Sequence, residues 1–293
     1  MPPPTLLLPH DPLAERRVDP HYSAEAQLIR GLGGGTALVD HDALLAGRAA
    51  EAVRRVPADT GPAWYRGWML PVAAYAAFER ALADRGCRLL TSAAGYAAAH
   101  ELPGWYGTFE GATPVSVWLP ADAGPGELAA AAGRLGSHGP AVVKDYVKSR
   151  KQEWHEACYI PDLADPAAVR RVVARFVELQ GEFLSGGVVL RRFHPFVAAD
   201  RAGGRASEAR VWWLDGEPAL VGPHPDTPGE RPDPDLTRVR PLVRALGCRF
   251  VTTDLALRAD SGEWMVVEVG DGQVSDLPRG TDVSALLTAL LAA

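Results

Sequence analysis

One apolar segment of this chain carries two carboxylates inside runs that otherwise resemble buried strands. Residues 250–258 and 264–269 are rich in β-branched and aromatic side chains, and residues 260–262, Asp-Ser-Gly, are typical of a turn. This pattern predicts a β-hairpin. If residues 260–262 form its loop, Asp254 lies directly opposite Glu268 on the neighbouring strand.

Two carboxylates that face each other across neighbouring strands repel unless a cation lies between them. Directly opposed residues have Cβ atoms about 4.5–5.5 Å apart, so both side chains can reach one ion. Mg²⁺ is the expected ion because it is a hard cation that takes carboxylate and phosphate oxygens. The alternatives are a one-residue slip, which would put the acids on opposite faces, and an edge hairpin whose acids face water. The apolar run Met265-Val-Val-Glu-Val favours the cation, because an acid there is out of place unless it is paired.

The composition limits the classes of protein to which the chain can belong. Its 293 residues suffice for one large domain or two to three smaller ones, and 47% hydrophobic with 23% charged residues is typical of a soluble globular protein. The net charge of −6 argues against a general nucleic-acid or membrane-surface binder. The apolar stretches are too short to span a bilayer and no signal peptide is evident, so a cytoplasmic protein is expected. The wide spacing of Cys87, Cys158 and Cys248 predicts reduced thiols.

Strand and helix signals alternate over residues 1–120, which predicts an α/β layer. The expected strands are 5–8, 36–40 and 87–90, and the expected helices are 23–30 and 70–85. The segment 121–126, which contains proline and glycine, indicates a linker or a domain boundary. Beyond it the pattern predicts helices at 126–135, after Asp165-Pro166 and at 282–291, strands at 141–148 and 187–190, and a surface loop at 223–235.

The glycine-rich segment 31–36 resembles a dinucleotide-binding loop. It follows a predicted helix and precedes a predicted strand, however, which is the reverse of the order that a Rossmann fingerprint needs. We therefore interpret it as the C-cap and turn of the helix.

Basic residues mark two of the predicted strands. A period of two over 141–148 puts Lys144, Tyr146 and Lys148 on one strand face. Two ammonium groups on one face suit a polyphosphate, and the alternative is an exposed strand edge, where lysine discourages aggregation. A second basic group, which ends the strand at 187–190, consists of Arg191 and Arg192, followed by Phe193.

Two further arginines are candidates for contact with an anion. Arg210 shares a strand face with Glu208, and this strand leads into the two-residue turn Asp215-Gly216. An arginine beside a cation-bound phosphate would stabilise the charge that develops during phosphoryl transfer, whereas a surface ion pair of small value is the alternative. Arg66, in Tyr65-Arg66-Gly67-Trp68, would suit an anionic acceptor or a substrate carboxylate, and a structural arginine packed on tryptophan is its alternative.

Taken in order, these pieces resemble the ATP-grasp superfamily. The order is a lysine strand, a helix, a strand, a Glu-x-Arg strand with an Asp-Gly turn, and an Asp strand followed by Val-Val-Glu-Val-Gly-Asp-Gly. Residues 65–69, 143–151 and 268–275 are similar to the clade named for an arginine and two lysines. The resemblance covers nearly the whole chain and implies a mixed fold, α/β and α+β. A pre-ATP-grasp α/β domain over 1–120 would precede an ATP-grasp domain over 121–293 with two α+β subdomains, a lid at about 121–188 and a catalytic subdomain at about 189–293.

The resemblance also implies an ATP and Mg²⁺ site between the two subdomains. The implied nucleotide-binding residues are Lys144 and Lys148 on the phosphates, the segment of Arg191, Arg192 and Phe193 on adenine, and Glu208. The implied catalytic residues are Arg210, facing the γ-phosphate, and Arg66. The implied Mg²⁺ ligands are Asp254, Glu268 and Asp271, the last in place of an asparagine that many relatives have where this chain has Gly270. A second departure is the lid segment 149–156, which is basic and aromatic where the superfamily commonly has a glycine-rich loop.

The chemistry of the family implies an ATP- and Mg²⁺-dependent carboxylate–amine ligase that acts on an amino acid or peptide through an acyl phosphate. One alternative is a small-molecule kinase, and another is a non-catalytic nucleotide-binding protein, which the Gly270 departure favours. The expected partner is a small-molecule or peptide substrate, with neither nucleic acid nor membrane, and dimers are common in the superfamily. The sequence identifies neither the carboxylate nor the amine.

Overall fold

A computed structural model describes residues 3–199, 206–278 and 280–293, and its strands form three β-sheets. The first sheet contains β1 (Thr5–Asp11), β2 (Ala14–Val18), β3 (Thr36–Val39), β4 (Gly61–Tyr65) and β5 (Cys87–Leu89). β1 pairs in parallel with β3 and β4, β4 pairs in parallel with β5, and β2 folds back antiparallel on the end of β1. The helices of this region are α1 (Ser23–Gly31), α2 (His41–Leu45), α3 (Ala49–Ala52), α4 (Val72–Ala83), α5 (Ala93–His100) and α6 (Leu102–Phe109).

This first region confirms the predicted alternation of strands and helices. The apolar face of α4 buries Tyr75, Phe78 and Leu82 against the sheet, because residues spaced by three or four lie on one side of a helix. α1 ends at Gly31, and Gly33 adopts a positive φ of 81°, so the glycine-rich segment is the expected helix end.

The second sheet is antiparallel, in the order β6, β9, β7, β8. Its strands are β6 (Ser116–Leu119), β7 (Ala141–Lys144), β8 (Tyr159–Ile160) and β9 (Val188–Arg192), and its helices are α7 (Pro125–Arg134) and α8 (Pro166–Gln180). α8 begins where predicted because the Asp165 carboxylate accepts hydrogen bonds from the backbone N–H groups of Ala167 and Ala168. The sheet includes β6 and the whole of β9, so it crosses the domain limits expected at 120 and 188.

The third sheet is also antiparallel, in the order β11, β10, β12, β13. Its strands are β10 (Glu208–Leu214), β11 (Glu217–Pro223), β12 (Phe250–Leu257) and β13 (Trp264–Asp271), and its helices are α9 (Arg240–Leu246) and α10 (Ser284–Ala292). Leu287 of α10 packs in one buried cluster with Trp212 and Phe250 of this sheet and with Leu6 and Trp64 of the first sheet. The third sheet is therefore fixed against the first region by α10.

The hairpin of β12 and β13 confirms the pairing of Asp254 with Glu268 but corrects the turn. Next to the turn, Leu257 pairs with Trp264 and Leu255 with Val266, which is one residue away from the register expected for a three-residue loop. An irregularity between Asp254 and Leu255 restores the predicted register, so that β13 contributes one extra residue there. The two acids thus share a face because a β-bulge compensates for the different turn.

Among the described residues, no helix has both the length and the apolar character needed to cross a bilayer. All three cysteines are buried and carry free thiols, as expected.

Candidate active site

The centre of the site is an ion pair on the third sheet. Arg210 of β10 lies directly opposite Asp254 of β12, and its Nε and Nη2 donate to Asp254 Oδ1 and Oδ2 at 2.7 and 2.8 Å. Burial raises the pKa of Asp254, but the guanidinium outweighs burial and holds the pKa below its usual value. On the other side of Asp254 lies Glu268, whose side chain is 43% exposed. Asp254 is therefore ionised and Glu268 is open to a ligand.

Lys144 brings the second sheet to this face. It is the last residue of β7, it is buried, and its Nζ lies 3.7 Å from Glu268 Oε2. Burial lowers the pKa of Lys144, and the nearby carboxylate of Glu268 opposes that change. The predicted position of Lys144 in the site is thus supported by its contact.

The predicted strand position of Lys148 is wrong. β7 ends at Lys144 and does not continue to residue 148. The buried carboxylate of Asp145 accepts hydrogen bonds from the backbone N–H groups of Val147 and Lys148 and from the side chain of Gln180. Such a turn replaces the strand hydrogen bonds, and Lys148 is left exposed.

The second ammonium group of the site comes instead from Lys151. It lies in a short 3₁₀ helix, Lys151–Glu153, and its Nζ is 3.7 Å from Glu208 Oε1 on β10. The side chain of Lys151 is 58% exposed, and the nearby carboxylates, Glu208 first, raise its pKa. The sequence reasoning missed Lys151, since the basic run 148–151 does not show which of its residues approaches the acids.

His224 is a second residue that the sequence reasoning missed. It directly follows β11, and its Nε2 lies 3.5 Å from Asp254 Oδ2. Ligand atoms of Glu208, His224 and Asp254 all lie within 4.8 Å of one another. A lone histidine in a proline-rich loop gives no sequence signal for this position.

These groups form what we call the charge cluster: Lys144, Lys151, Glu208, Arg210, Asp254 and Glu268. Its carboxylate oxygens are the donors that a hard cation such as Mg²⁺ takes, and its three cationic side chains suit phosphate. Asp254 and Glu268 share a face of neighbouring strands, so both could hold such a cation.

The sequence of residues 134–290 matches the model of an ATP-grasp domain family, the third family of the clade named for one arginine and two lysines, over more than half of the chain. The chain belongs to this ATP-grasp family. The match confirms the resemblance drawn from the arginine and lysine motifs. No curated protein matches the chain significantly.

Solved structures of ATP-grasp proteins share the fold along the whole chain. A RimK domain ATP-grasp protein from Sphaerobacter thermophilus DSM 20745 superposes with a TM-score of 0.61 at 16% identity, covering 99% of both chains. The ATP-grasp ligase PsnB, complexed with minimal precursor, Mg and ADP, gives 0.57 at 14% identity, over 98% of this chain and 97% of that chain. D-alanine–D-alanine ligase from Bacillus anthracis, complexed with ATP, gives 0.52 at 14% identity, over 98% and 94%. The fold class predicted from the sequence is thus confirmed.

Asp271 does not join the charge cluster of this ATP-grasp protein. It lies three residues after Glu268, and successive residues of a strand alternate between faces. The Asp271 carboxylate is fully buried, where it accepts hydrogen bonds from the backbone and side-chain N–H groups of Gln273 at 2.8 and 3.1 Å. Burial raises the pKa of Asp271 to about 7. Asp271 therefore does not replace the asparagine missing at Gly270.

Arg66 is a structural arginine in this ATP-grasp fold. It is 2% exposed, and its Nε and Nη2 donate to the two carboxylate oxygens of Glu25 at 2.7 and 3.0 Å. Its Nη1 donates to the backbone carbonyls of Gly272, Gln273 and Ser275. These bonds correct the expectation of a catalytic Arg66, because the guanidinium is already used to join the first sheet to the segment after β13.

The side chains of the predicted adenine segment make contacts within the protein. Arg191 is buried and donates to Thr113 Oγ1 and Ser116 Oγ and to the carbonyl of Val267, the extra residue of the β-bulge. Burial lowers the pKa of Arg191 to about 10. Arg192 donates to the carbonyl of Leu135. The contact of this segment with adenine through its backbone stays a prediction.

Phe193 belongs to an aromatic group in the same region. Its ring centroid lies 5.4 Å from that of Tyr159 and 6.1 Å from that of Trp154, and the rings of Trp154 and Tyr159 stack at 5.3 Å. Trp154 follows the 3₁₀ helix of Lys151 directly. The basic and aromatic lid segment is thus folded between the charge cluster and Phe193.

Proposed function

We propose that this ATP-grasp protein is an ATP- and Mg²⁺-dependent ligase that joins a carboxylate to an amine through an acyl phosphate, with an amino acid or a peptide as substrate. The observation that carries the proposal is the approach of Lys144, at the end of the second sheet, to the facing acids Asp254 and Glu268 of the third sheet. A lysine and two carboxylates on facing sheets are the groups that hold a nucleotide polyphosphate and its cation.

Each member of the charge cluster has a part in phosphoryl transfer. Lys144 and Lys151 hold phosphate oxygens by charge, as compact ammonium groups can. Asp254 and Glu268 would hold Mg²⁺, which would supply positive charge against the charge that develops on the phosphates. Arg210 leaves Asp254 and turns to the γ-phosphate, where its guanidinium stabilises the transferring group.

Neither step of the proposed reaction needs a nucleophile from the protein. The carboxylate of one substrate attacks the γ-phosphorus and releases ADP, and the amine of the other substrate then displaces phosphate from the acyl carbon. The protein's main task is to position these reactants. The peptide class is supported by the similarity to PsnB, whose structure was determined with its precursor.

The test is release of ADP and phosphate from Mg-ATP with a panel of amino acids and short peptides, followed by mass spectrometry of the products. We expect Glu268→Gln and Asp254→Asn to lower turnover by about 100- to 1000-fold. Glu182→Gln, at an exposed glutamate outside the cluster, is the matched control and keeps full turnover. Unchanged turnover in both cluster variants would refute the site, and a stable phosphorylated product in place of an amide would make the protein a kinase.

A further inference from the structure

Hydrogen bonds hold both the backbone and the ring of His224. Its backbone N–H donates to the carbonyl of Glu208 at 2.9 Å, and its ring Nδ1 accepts a hydrogen bond from the backbone N–H of Asp226 at 3.1 Å. Its side chain is 14% exposed and lies beside the carboxylate of Asp254. The ring thus has one fixed orientation at the edge of the charge cluster.

The hydrogen bond from the Asp226 N–H, at 3.1 Å, favours one tautomer of His224 over the longer approach of Nδ1 to Asp226 Oδ2, at 3.8 Å. A nitrogen that accepts a hydrogen bond presents its lone pair, so the neutral ring of His224 carries its proton on Nε2. Nε2 lies 3.5 Å from Asp254 Oδ2, an ion-pair distance at which no hydrogen bond has formed, so this N–H is available to Asp254. A metal ion on Nε2 would need the proton on Nδ1, where it would meet the Asp226 N–H. His224 therefore faces Asp254 as a donor and not as a metal ligand.

Asp254 needs such a donor during the proposed reaction. In this structure both of its oxygens accept from Arg210, but the proposed function requires Arg210 to turn to the γ-phosphate. A carboxylate that holds a cation is fixed in orientation by a hydrogen-bond donor on its other side. Among the described residues, the ion-pair partners within 4.0 Å of the Asp254 carboxylate are Arg210 and His224.

We propose that His224 is a positioning residue that orients Asp254 for the cation-bound nucleotide when Arg210 is engaged with phosphate. The inference rests on the proposed function, because it requires a cation at Asp254. Donors to a metal-ligating carboxylate fix its orientation, and their loss typically weakens metal binding by about 10- to 100-fold.

Two substitutions separate the two nitrogens of the ring. His224→Asn keeps an acceptor at the position of Nδ1 and removes the donor that faces Asp254. His224→Gln reaches the position of Nε2 with an amide N–H. His138→Gln, at an exposed histidine in the turn before β7, is the matched control.

The experiment is a titration of the full chain with Mn²⁺ in the presence of AMPPNP, an ATP analogue that keeps the γ-phosphate and is not hydrolysed, followed by electron paramagnetic resonance at one pH. We expect His224→Asn to bind Mn²⁺ about 10- to 100-fold more weakly than the unsubstituted protein, and His224→Gln and His138→Gln to bind it almost unchanged. The unfolding midpoint without nucleotide is expected to be the same in all four proteins, because the Arg210–Asp254 pair is then intact.

The outcomes distinguish the positioning role from the proposed function. If the unsubstituted protein binds no Mn²⁺ with AMPPNP, the proposed function fails and the role of His224 fails with it. If it binds Mn²⁺ and His224→Asn binds equally tightly, the positioning role is overturned while the proposed function stands. Equal weakening by His224→Asn and His224→Gln would also overturn it, because the ring shape and not the N–H would then matter.

Discussion

The change Arg66→Met tests whether Arg66 holds the fold together or takes part in catalysis. Methionine keeps most of the aliphatic stem of Arg66 but removes the guanidinium. The Glu25 carboxylate, in a residue that is 8% exposed, would lose both of its short hydrogen bonds. The carbonyls of Gly272, Gln273 and Ser275 would lose their shared donor. We therefore expect Arg66→Met to lower the stability of the protein, because the Glu25 carboxylate stays buried without its partner.

The size of this loss follows from the burial of the pair. Breaking a buried ion pair by removal of one partner costs about 3–5 kcal/mol, since the other charge stays buried alone. The entropy of unfolding is about 2.1 cal/mol/K per residue, which for cooperative unfolding of 293 residues is about 0.6 kcal/mol/K. The unfolding midpoint is then expected to fall by about 5–8 °C, and by more if a smaller part of the chain unfolds as a unit.

The assay is thermal unfolding followed by circular dichroism, together with ADP release at a temperature where every variant is folded. Arg88→Met, at an exposed arginine of the same sheet, is the control and should shift the midpoint by no more than about 1 °C. The double variant with Glu25→Gln should lose less stability than the two single changes added together, because the pair is shared. A midpoint that Arg66→Met leaves unchanged, with turnover lost, would refute the structural role and restore the catalytic one.

Three further predictions concern the cluster and its surroundings. Lys144→Met should lower kcat/KM for ATP by about 100-fold. Lys148→Met should have little effect, because β7 ends at Lys144 and does not carry Lys148 to the same strand face. Steady-state kinetics of both variants would show a similar loss if the predicted strand face were right. The pKa of Asp271 is raised to about 7 in the folded protein, so the folded state binds more protons than the unfolded state between about pH 4 and 7. The free energy of unfolding therefore decreases as the pH rises through that range. In urea unfolding at pH 5 and pH 8, Asp271→Asn should show a smaller decrease than the unsubstituted protein. Gly270→Asn should destabilise the protein by about 1–3 kcal/mol, because a Cβ there would lie 3.0 Å from Thr252 Oγ1; the double variant with Thr252→Ala should recover part of this loss in the same measurement.

Elements that depend on neighbouring residues could be predicted from the sequence. The spacing of apolar residues indicated α4, and Asp165-Pro166 marked the first turn of α8, because periodicity and capping act within a few residues. The turn Asp215-Gly216 was also predicted, and both residues have the positive φ values, 50° and 78°, that such a turn requires. These signals are local, so no knowledge of the fold was needed.

The facing acids were predicted correctly although the expected loop was wrong. The pairs next to the turn are shifted by one residue, and the β-bulge at Val267 returns Asp254 and Glu268 to one face. The bulge carbonyl is bound by Arg191, which belongs to the second sheet. A single sequence does not show such a compensation, because the stabilising donor comes from a different part of the chain.

By itself, the sequence determined many of the strands and helices, the order of the motifs and, through that order, the ATP-grasp family. Only the tertiary structure decided which charged side chains meet. Lys151 and not Lys148 approaches the acids of the site, because the Asp145 turn, which Gln180 also binds, ends β7 early. Arg66 forms a buried ion pair with Glu25 and does not reach the site. The physical reason is range: an apolar pattern acts through neighbours in the chain, whereas an ion pair depends on a few ångströms between residues that only folding brings together.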